Sequence, residues 1–276
     1  MRESRLGRIG AYGALLVATF VALFPVFWTI STAIKYRVDT YTLPPKFLVF
    51  DATLKNFRAV FGDDTFVHAT LVTVGLTLAS SAIAVLFGGL AGYALARQPR
   101  FAGRRPLEAS LVFARALPGI VIVIPLYDLF ARLSLYDSLA AITVIYAAAN
   151  VSFAAWLMTS FFGQVPVELE EAARVDGAGT LQTLRRVVFP VALPGLSATF
   201  IFVALLAWNE FLIPALLAAG QNKTLPVYIS AFVSNRNLDW GPMAAASSIA
   251  MIPIAIFTVM AQRHLVAGLS SGAVKE

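Results

Sequence analysis

Glu171-Ala172-Ala173-Arg174-Val175-Asp176-Gly177-Ala178, with Val187, Phe189 and Pro190 downstream, stands in a polar island at residues 163–194 between two long apolar runs. A polar segment of that size in so apolar a chain needs a reason, and contact with a soluble partner supplies one. Pro166 suits the first turn of a helix, where a missing N–H costs nothing. Glu168, Glu170 and Glu171 follow in the opening turns, where carboxylates favour the positive end of the helix dipole. Leu169, Ala172, Ala173 and Val175 form an apolar strip whose small residues permit close approach. Asp176-Gly177 is a turn signal that stops the helix. Thr180 is expected to cap a second short helix carrying Arg185 and Arg186 near its end, and Pro190 and Pro194 are expected to break it. The reading is a helix-turn-helix elbow lying at a membrane surface.

The rest of the chain supports a membrane setting. Hydrophobic residues make up 59% and charged residues only 13%, where soluble domains carry about 25% charged. The net charge of +6 raises the question of nucleic acid, but the basic residues cluster in short inter-helix loops, which fits membrane orientation instead. There are no cysteines, so disulfides, thiolate chemistry and Cys-ligated metals are excluded.

A helix needs about 20 apolar residues to cross a bilayer. Six stretches qualify: 10–34, 67–95, 109–131, 138–162, 195–218 and 242–261. The first follows Arg2, Arg5 and Arg8; its apolar run is too long for a signal-peptide core and no convincing small-residue cleavage site follows, so it reads as a retained anchor. With the N-terminus inside, Arg2, Arg5, Arg8, Arg97, Arg100, Arg104, Arg105, Arg174, Arg185, Arg186, Arg263 and Lys275 are cytoplasmic. Fewer basic residues fall outside: Lys35, Arg37, Lys46, Lys55, Arg58, Arg132, Lys223 and Arg236. This arrangement makes both termini and the elbow cytoplasmic. Residues 35–66 and about 219–241, the latter with Asn235-Arg236-Asn237, become external segments that either meet a solute receptor or simply connect helices.

The elbow resembles the EAA loop of binding-protein-dependent ABC importer permeases: E-A-A, three residues, G, nine residues, I-x-L-P. Glu171, Ala172, Ala173, Gly177 and Pro190 match, and Val187 and Phe189 stand where Ile and Leu are usual, both apolar exchanges. The tail from Gln262 to Lys275 resembles that of the carbohydrate, MalG-like branch, and the likeness runs over essentially the whole length. The resemblance implies an all-α integral membrane protein of six transmembrane helices in the bacterial cytoplasmic membrane. It would be a single permease domain over 1–276, with the coupling loop at 163–194. It also implies a second homologous permease, an ATPase subunit dimer that carries ATP and Mg, an extracytoplasmic solute-binding protein and a sugar substrate. Glu171, Ala172, Ala173, Asp176, Gly177 and Pro190 become the residues that couple to the ATPase, and the tail reaches the ATPase dimer. No nucleic acid is involved.

The chain's own chemistry agrees that it is no enzyme. It has no G-x-x-x-x-G-K-[ST], so ATP must be hydrolysed by a separate subunit, and no cofactor is expected here. Gly268-Leu269-Ser270-Ser271-Gly272 matches the serine-hydrolase elbow pattern, but it lacks a preceding strand, and His68 and His264 are poor partners. Pro25, Pro118, Pro125, Pro214 and Pro253 interrupt apolar runs, which suits a translocation path and also simply the habit of membrane helices. Gly88 and Gly92 suit tight helix packing.

Polar groups inside apolar runs are often functional. Arg115 and Asp128 fall near helix ends and read as snorkelling side chains. Asn150, with Tyr146, Ser152 and Trp156 nearby, suits a sugar, whose ring faces stack while its hydroxyls hydrogen-bond; it suits helix-to-helix glue equally well. Trp208-Asn209-Glu210, on the helix after the elbow, resembles a W-N-[ED] sequence of the MalG-like branch, which implies a gate or helix junction. Two other readings stand beside the sugar importer. One is an ABC permease for another solute, such as a glycerophosphodiester. The other is a stand-alone secondary transporter, for which Glu210 and Asp128 are the coupling acids.

Overall fold

The computed structural model describes residues 5–98, 101, 103–218, 220–233 and 239–272, and side chains within these apart from 5–7, 9, 112, 115 and 263–272. The side chain of Arg115, the tail side chains beyond Gln262 and the segment Asn235-Arg236-Asn237 therefore lie outside the described residues. The described chain is helical. In order it runs α1 (Arg5–Ala33), α2 (Arg37–Thr40), α3 (Lys55–Phe61), α4 (Asp64–Arg97), α5 (Arg104–Ala116), α6 (Gly119–Arg132), α7 (Leu139–Gly163), α8 (Glu168–Val175), α9 (Thr180–Thr183), a π-helical turn (Leu184–Val188), α10 (Phe189–Trp208), α11 (Leu212–Leu217), α12 (Leu225–Ser230) and α13 (Trp240–Gly272).

Five helices among the described residues are long and apolar enough to cross a membrane: Gly10–Ala33, Asp64–Arg97, Leu139–Gly163, Thr180–Trp208 and Trp240–Gln262. The expected third span, 109–131, is not one helix. Leu117 is extended, at φ −68° and ψ 127°, because the ring of Pro118 crowds the residue before it, so α5 ends at Ala116 and α6 restarts at Gly119. The expected fifth span also differs: it begins at Thr180 instead of 195 and ends at Trp208 instead of 218. Pro190 and Pro194 do not break it. The π turn supplies the accommodation, since the N–H of Phe189 reaches back five residues to the Leu184 carbonyl just before the first proline.

Residues 1–67 with 228–252 form one compact unit, and 68–227 with 253–276 form another. In the first, residues 10–27 of α1 are exposed wherever they are described, as an apolar helix facing lipid would be. Beyond its end the chain is pinned by Lys35. Its buried Nζ lies 4.3 Å from the Trp28 ring centre and 4.8 Å from that of Phe50, and it donates to the Lys46 carbonyl. Burial lowers the Lys35 pKa, against a smaller opposing pull from Asp39. Asn56 donates to the carbonyls of Ala33 and Lys35, 2.9 Å each, and fixes α3 beside this turn.

Tyr228 donates to Asp63 at 2.7 Å and so ties α12 to the start of α4. That bond, reinforced by the N–H of Thr65, lowers the Asp63 pKa against the opposing effect of burial. A carboxyl depressed in the folded state contributes stability above its unfolded pKa and loses it as pH falls through the lower folded value. Amide exchange around residues 61–66 should therefore hold its protection to a pH below about 4, the ordinary aspartate range. Tyr228→Phe should move that loss upward towards the ordinary range; identical profiles for the two proteins would remove this role.

In the second unit α4 packs backbone to backbone on α7. A Cβ at Gly88 would lie 2.5 Å from the Ala154 Cβ, and one at Gly92 would lie 2.7 Å from the Met158 Cβ. At Gly195 α10 instead makes room for a side chain of α7: a Cβ there would lie 2.5 Å from the Phe161 ring. Two side chains anchor the connection that follows α11. The Asp137 carboxylate accepts the N–H groups of Gln221 at 2.9 Å and Asn222 at 3.2 Å, and the Thr73 hydroxyl accepts that of Leu225 at 2.7 Å.

Candidate functional site

The elbow is a helix, a tight turn and a second helix. Helix α8 starts at Glu168, two residues after Pro166, with Glu168, Glu170 and Glu171 in its first turn. It ends in two reciprocal bonds: the Gly177 N–H to the Arg174 carbonyl at 3.0 Å, and the Ala178 N–H to the Ala173 carbonyl at 2.9 Å. This is the Schellman arrangement, which needs a left-handed residue between the two donors. Gly177 supplies it at φ +83°. Nothing lies within 4 Å of a Cβ built there, so conformation and not space demands glycine. Thr180 is the first residue of α9 and not its cap; Gly179 holds the cap position, with no side-chain bond.

The two faces of α8 invert the usual pattern. The apolar side chains point outward: Val175 is 88% exposed and Leu181, across the turn, 78%. Leu169, Glu171, Ala172, Arg174, Asp176 and Gly177 are exposed as well, and Ala173 is half-buried. The residue that turns inward is Glu170, only 2% exposed. Its Oε1 accepts from Arg97 Nε at 2.6 Å and its Oε2 accepts from the Tyr93 hydroxyl at 2.7 Å. The guanidinium also donates to the carbonyls of Phe162 at 2.9 Å and Val165 at 3.0 Å, where α7 ends. Leaving one member of such a buried pair uncompensated costs about 3–5 kcal/mol. Beside it Leu184, Val188 and Ala192 pack with Met158, Phe162 and Val165, so the second arm of the elbow grows out of the bundle core. Pro190 is exposed at the start of α10, just past the π turn.

A family model described as the binding-protein-dependent transport system inner membrane component matches residues 84–271, which include the whole elbow. The chain belongs to this family. Among curated relatives of this inner membrane component, the trehalose transport system permease protein SugB of Mycobacterium tuberculosis is 35% identical over 275 residues, covering 97% of this chain and 98% of SugB. The diacetylchitobiose uptake system permease protein DasC of Streptomyces coelicolor is 34% identical over 279 residues, covering 100% of both. In structure the chain is similar to one in a bacterial ABC transporter involved in the import of the acidic polysaccharide alginate, with a TM-score of 0.79 and 25% identity over 95% of this chain and 99% of that one. The chain is a multi-pass membrane protein, in keeping with its family and its apolar helices.

The side chains expected along a path through this permease do not share one surface. Tyr146 is buried in a cluster with Val72, Leu76, Phe130 and Ile142, and Asn150 is buried one turn on, donating to the Tyr146 carbonyl at 2.9 Å. Trp156 is 51% exposed, ten residues from Tyr146 and so on another face of the helix. It lines a cavity of about 860 Å³ between α5 and α7, with Arg104, Arg105, Glu108, Thr159 and Ser160. None of the other five path candidates lines that cavity. Trp208 is the last residue of α10, and Asn209 and Glu210 form the break between α10 and α11. Trp208 is buried, Asn209 donates to the Leu205 carbonyl, and the Glu210 carboxylate accepts the N–H groups of Leu212 at 2.9 Å and Ile213 at 3.2 Å. Asp128 is exposed and paired with Arg132 on the next turn of α6.

In the sequence Glu170 reads only as a charge at a helix start and Arg97 only as a marker of membrane side. The available signal was the doubled glutamate, Glu170-Glu171, of which one member alone is needed by the E-A-A pattern.

Proposed function

We propose that this chain is the membrane-spanning subunit of an ATP-driven, binding-protein-dependent importer of a sugar or sugar derivative. The observation that carries the reading is the elbow: an outward face of Glu171, Val175 and Leu181, exposed within this chain, on a scaffold held rigidly from below by Glu170 and Arg97. Exposed apolar side chains on a polar segment mark a surface for a partner. Here the partner is the ATPase dimer, which holds ATP and Mg. The Lys and Arg distribution supports a cytoplasmic elbow and cytoplasmic termini, on the side where that dimer would sit. A second, homologous permease completes the membrane part, and a solute-binding protein delivers the sugar outside. A sugar substrate is supported by the names of SugB and DasC, which concern trehalose and diacetylchitobiose.

The mechanism is alternating access. Closure of the ATPase dimer on ATP carries the elbow with it and swings the helices outward-open; hydrolysis returns them. Glu171 makes a charge-assisted contact with a basic residue of the ATPase. Trp156, Thr159 and Ser160 offer the aromatic face and hydroxyls that a leaving sugar needs. The acids a stand-alone transporter would use are otherwise engaged: Glu210 caps α11 and Asp128 pairs with Arg132.

Co-expression with the genomic neighbours and purification in nanodiscs tests this. ATP hydrolysis is measured with the receptor and a panel of sugars, with glycerophosphodiesters included. Stimulation by one sugar, lost in Glu171→Lys, is the expected result. Stimulation by a glycerophosphodiester alone would change the substrate, and solute uptake by this chain alone in liposomes would overturn the importer.

A further inference from the structure

We propose that Glu170, Arg97 and Tyr93 form the mechanical joint through which the elbow moves the transmembrane helices; this rests on the importer reading above. Three elements meet at one guanidinium, that of Arg97. Tyr93 and Arg97, one turn apart, come from the last turns of α4; Phe162 in the last turn of α7 and Val165 in the link just beyond it present carbonyls; Glu170 comes from the first turn of α8. Both oxygens of Glu170 are engaged, and three nitrogens of Arg97 donate, to three different residues.

The covalent link between α7 and α8 is only the segment 164–167. Four residues alone would let α8 pivot on the end of α7 without moving it. The joint removes that freedom, because a pivot would separate a buried carboxylate from a largely buried guanidinium, where solvent compensates poorly. It also extends the connection sideways to α4, which has no covalent link to the elbow. Gly88 and Gly92 then hold α4 against α7 further along. A displacement of the elbow is thus delivered to two transmembrane helices as one body. Glu171, its neighbour in sequence, points away and touches the partner; Glu170 points inward and transmits. These are positioning residues, since they touch neither solute nor nucleotide.

The test uses the complete complex in proteoliposomes: both permeases, the ATPase dimer and the receptor with its sugar. Glu170→Gln removes the charge and keeps the shape. Its folded yield should fall, but the protein that folds should bind the ATPase as wild type does and hydrolyse ATP at a basal rate within about twofold of wild type. The sugar moved per ATP should fall at least tenfold, and Tyr93→Phe, which leaves the ion pair, should lose no more than about half of that ratio. The chain has no cysteine, so the pair Arg97→Cys with Glu170→Cys can be bridged by a short bis-thiol-reactive linker. The reduced double variant should be uncoupled, and bridging should restore at least a third of the wild-type ratio, which a purely structural role would not produce. An unchanged ratio in Glu170→Gln overturns the joint, as does loss of ATPase binding in that variant or failure of the bridge to restore coupling. Absence of uptake in the wild-type complex is a separate outcome and overturns the importer reading itself.

Discussion

Gly177→Val is expected to abolish uptake while leaving the chain in the membrane at its normal level. The reason lies in one dihedral angle. Gly177 sits at φ +83°, where the N–H groups of Gly177 and Ala178 close the end of α8. A β-branched residue disfavours that region by roughly 1–2 kcal/mol or more, so the turn opens and the two arms of the elbow change angle. No atom lies within 4 Å of the new Cβ, so the transmembrane packing is untouched. The loss should be seen as a drop of at least tenfold in ATPase co-purification and uptake at background, with membrane abundance within about twofold of wild type. Gly177→Asn, which tolerates a left-handed conformation, should retain most of the activity. If valine and asparagine behave alike, the backbone argument is wrong and the position matters for another reason.

The second large effect concerns folding. Gly92→Leu should reduce folded protein to less than about a tenth of wild type, and Gly88→Leu should do the same. At Gly92 the first added carbon alone would lie 2.7 Å from the Met158 Cβ and 2.9 Å from the Ala155 carbonyl oxygen. At Gly88 it would lie 2.8 Å from the Ala155 nitrogen. These neighbours are backbone or Cβ atoms, which cannot turn aside as a long side chain can. The helices must separate, and overpacking of this kind costs about 1–3 kcal/mol or more per site. Gly75→Leu is the internal control: it lies on the same helix with nothing within 4 Å of its Cβ, so a leucine there should be tolerated. Detergent-extracted, monodisperse protein on a sizing column reads the difference. Equal yields for Gly75→Leu and Gly92→Leu would show that close packing of α4 on α7 is not what holds this bundle.

What could be read from sequence had local causes. The apolar runs mark membrane-length helices because burial in lipid is a property of each segment alone. Asp176-Gly177 ends α8 because a turn is decided within a few residues, and Glu171-Ala172-Ala173 carries the family because its spacing is short and kept. The tertiary structure decided whatever depends on groups far apart in the chain. Pro190 reads as a helix breaker, yet a π turn settled in the core by Leu184 and Val188 carries the helix through it. Tyr146, Asn150 and Trp156 read as one surface and are divided between the bundle core and a cavity. The pairing of Glu170 with Arg97 spans 73 residues; the doubled glutamate marks one member as spare, but nothing local names its partner. A buried charge takes whichever partner the packed helices bring to it, and that partner is known only once α4, α7 and α8 are in place.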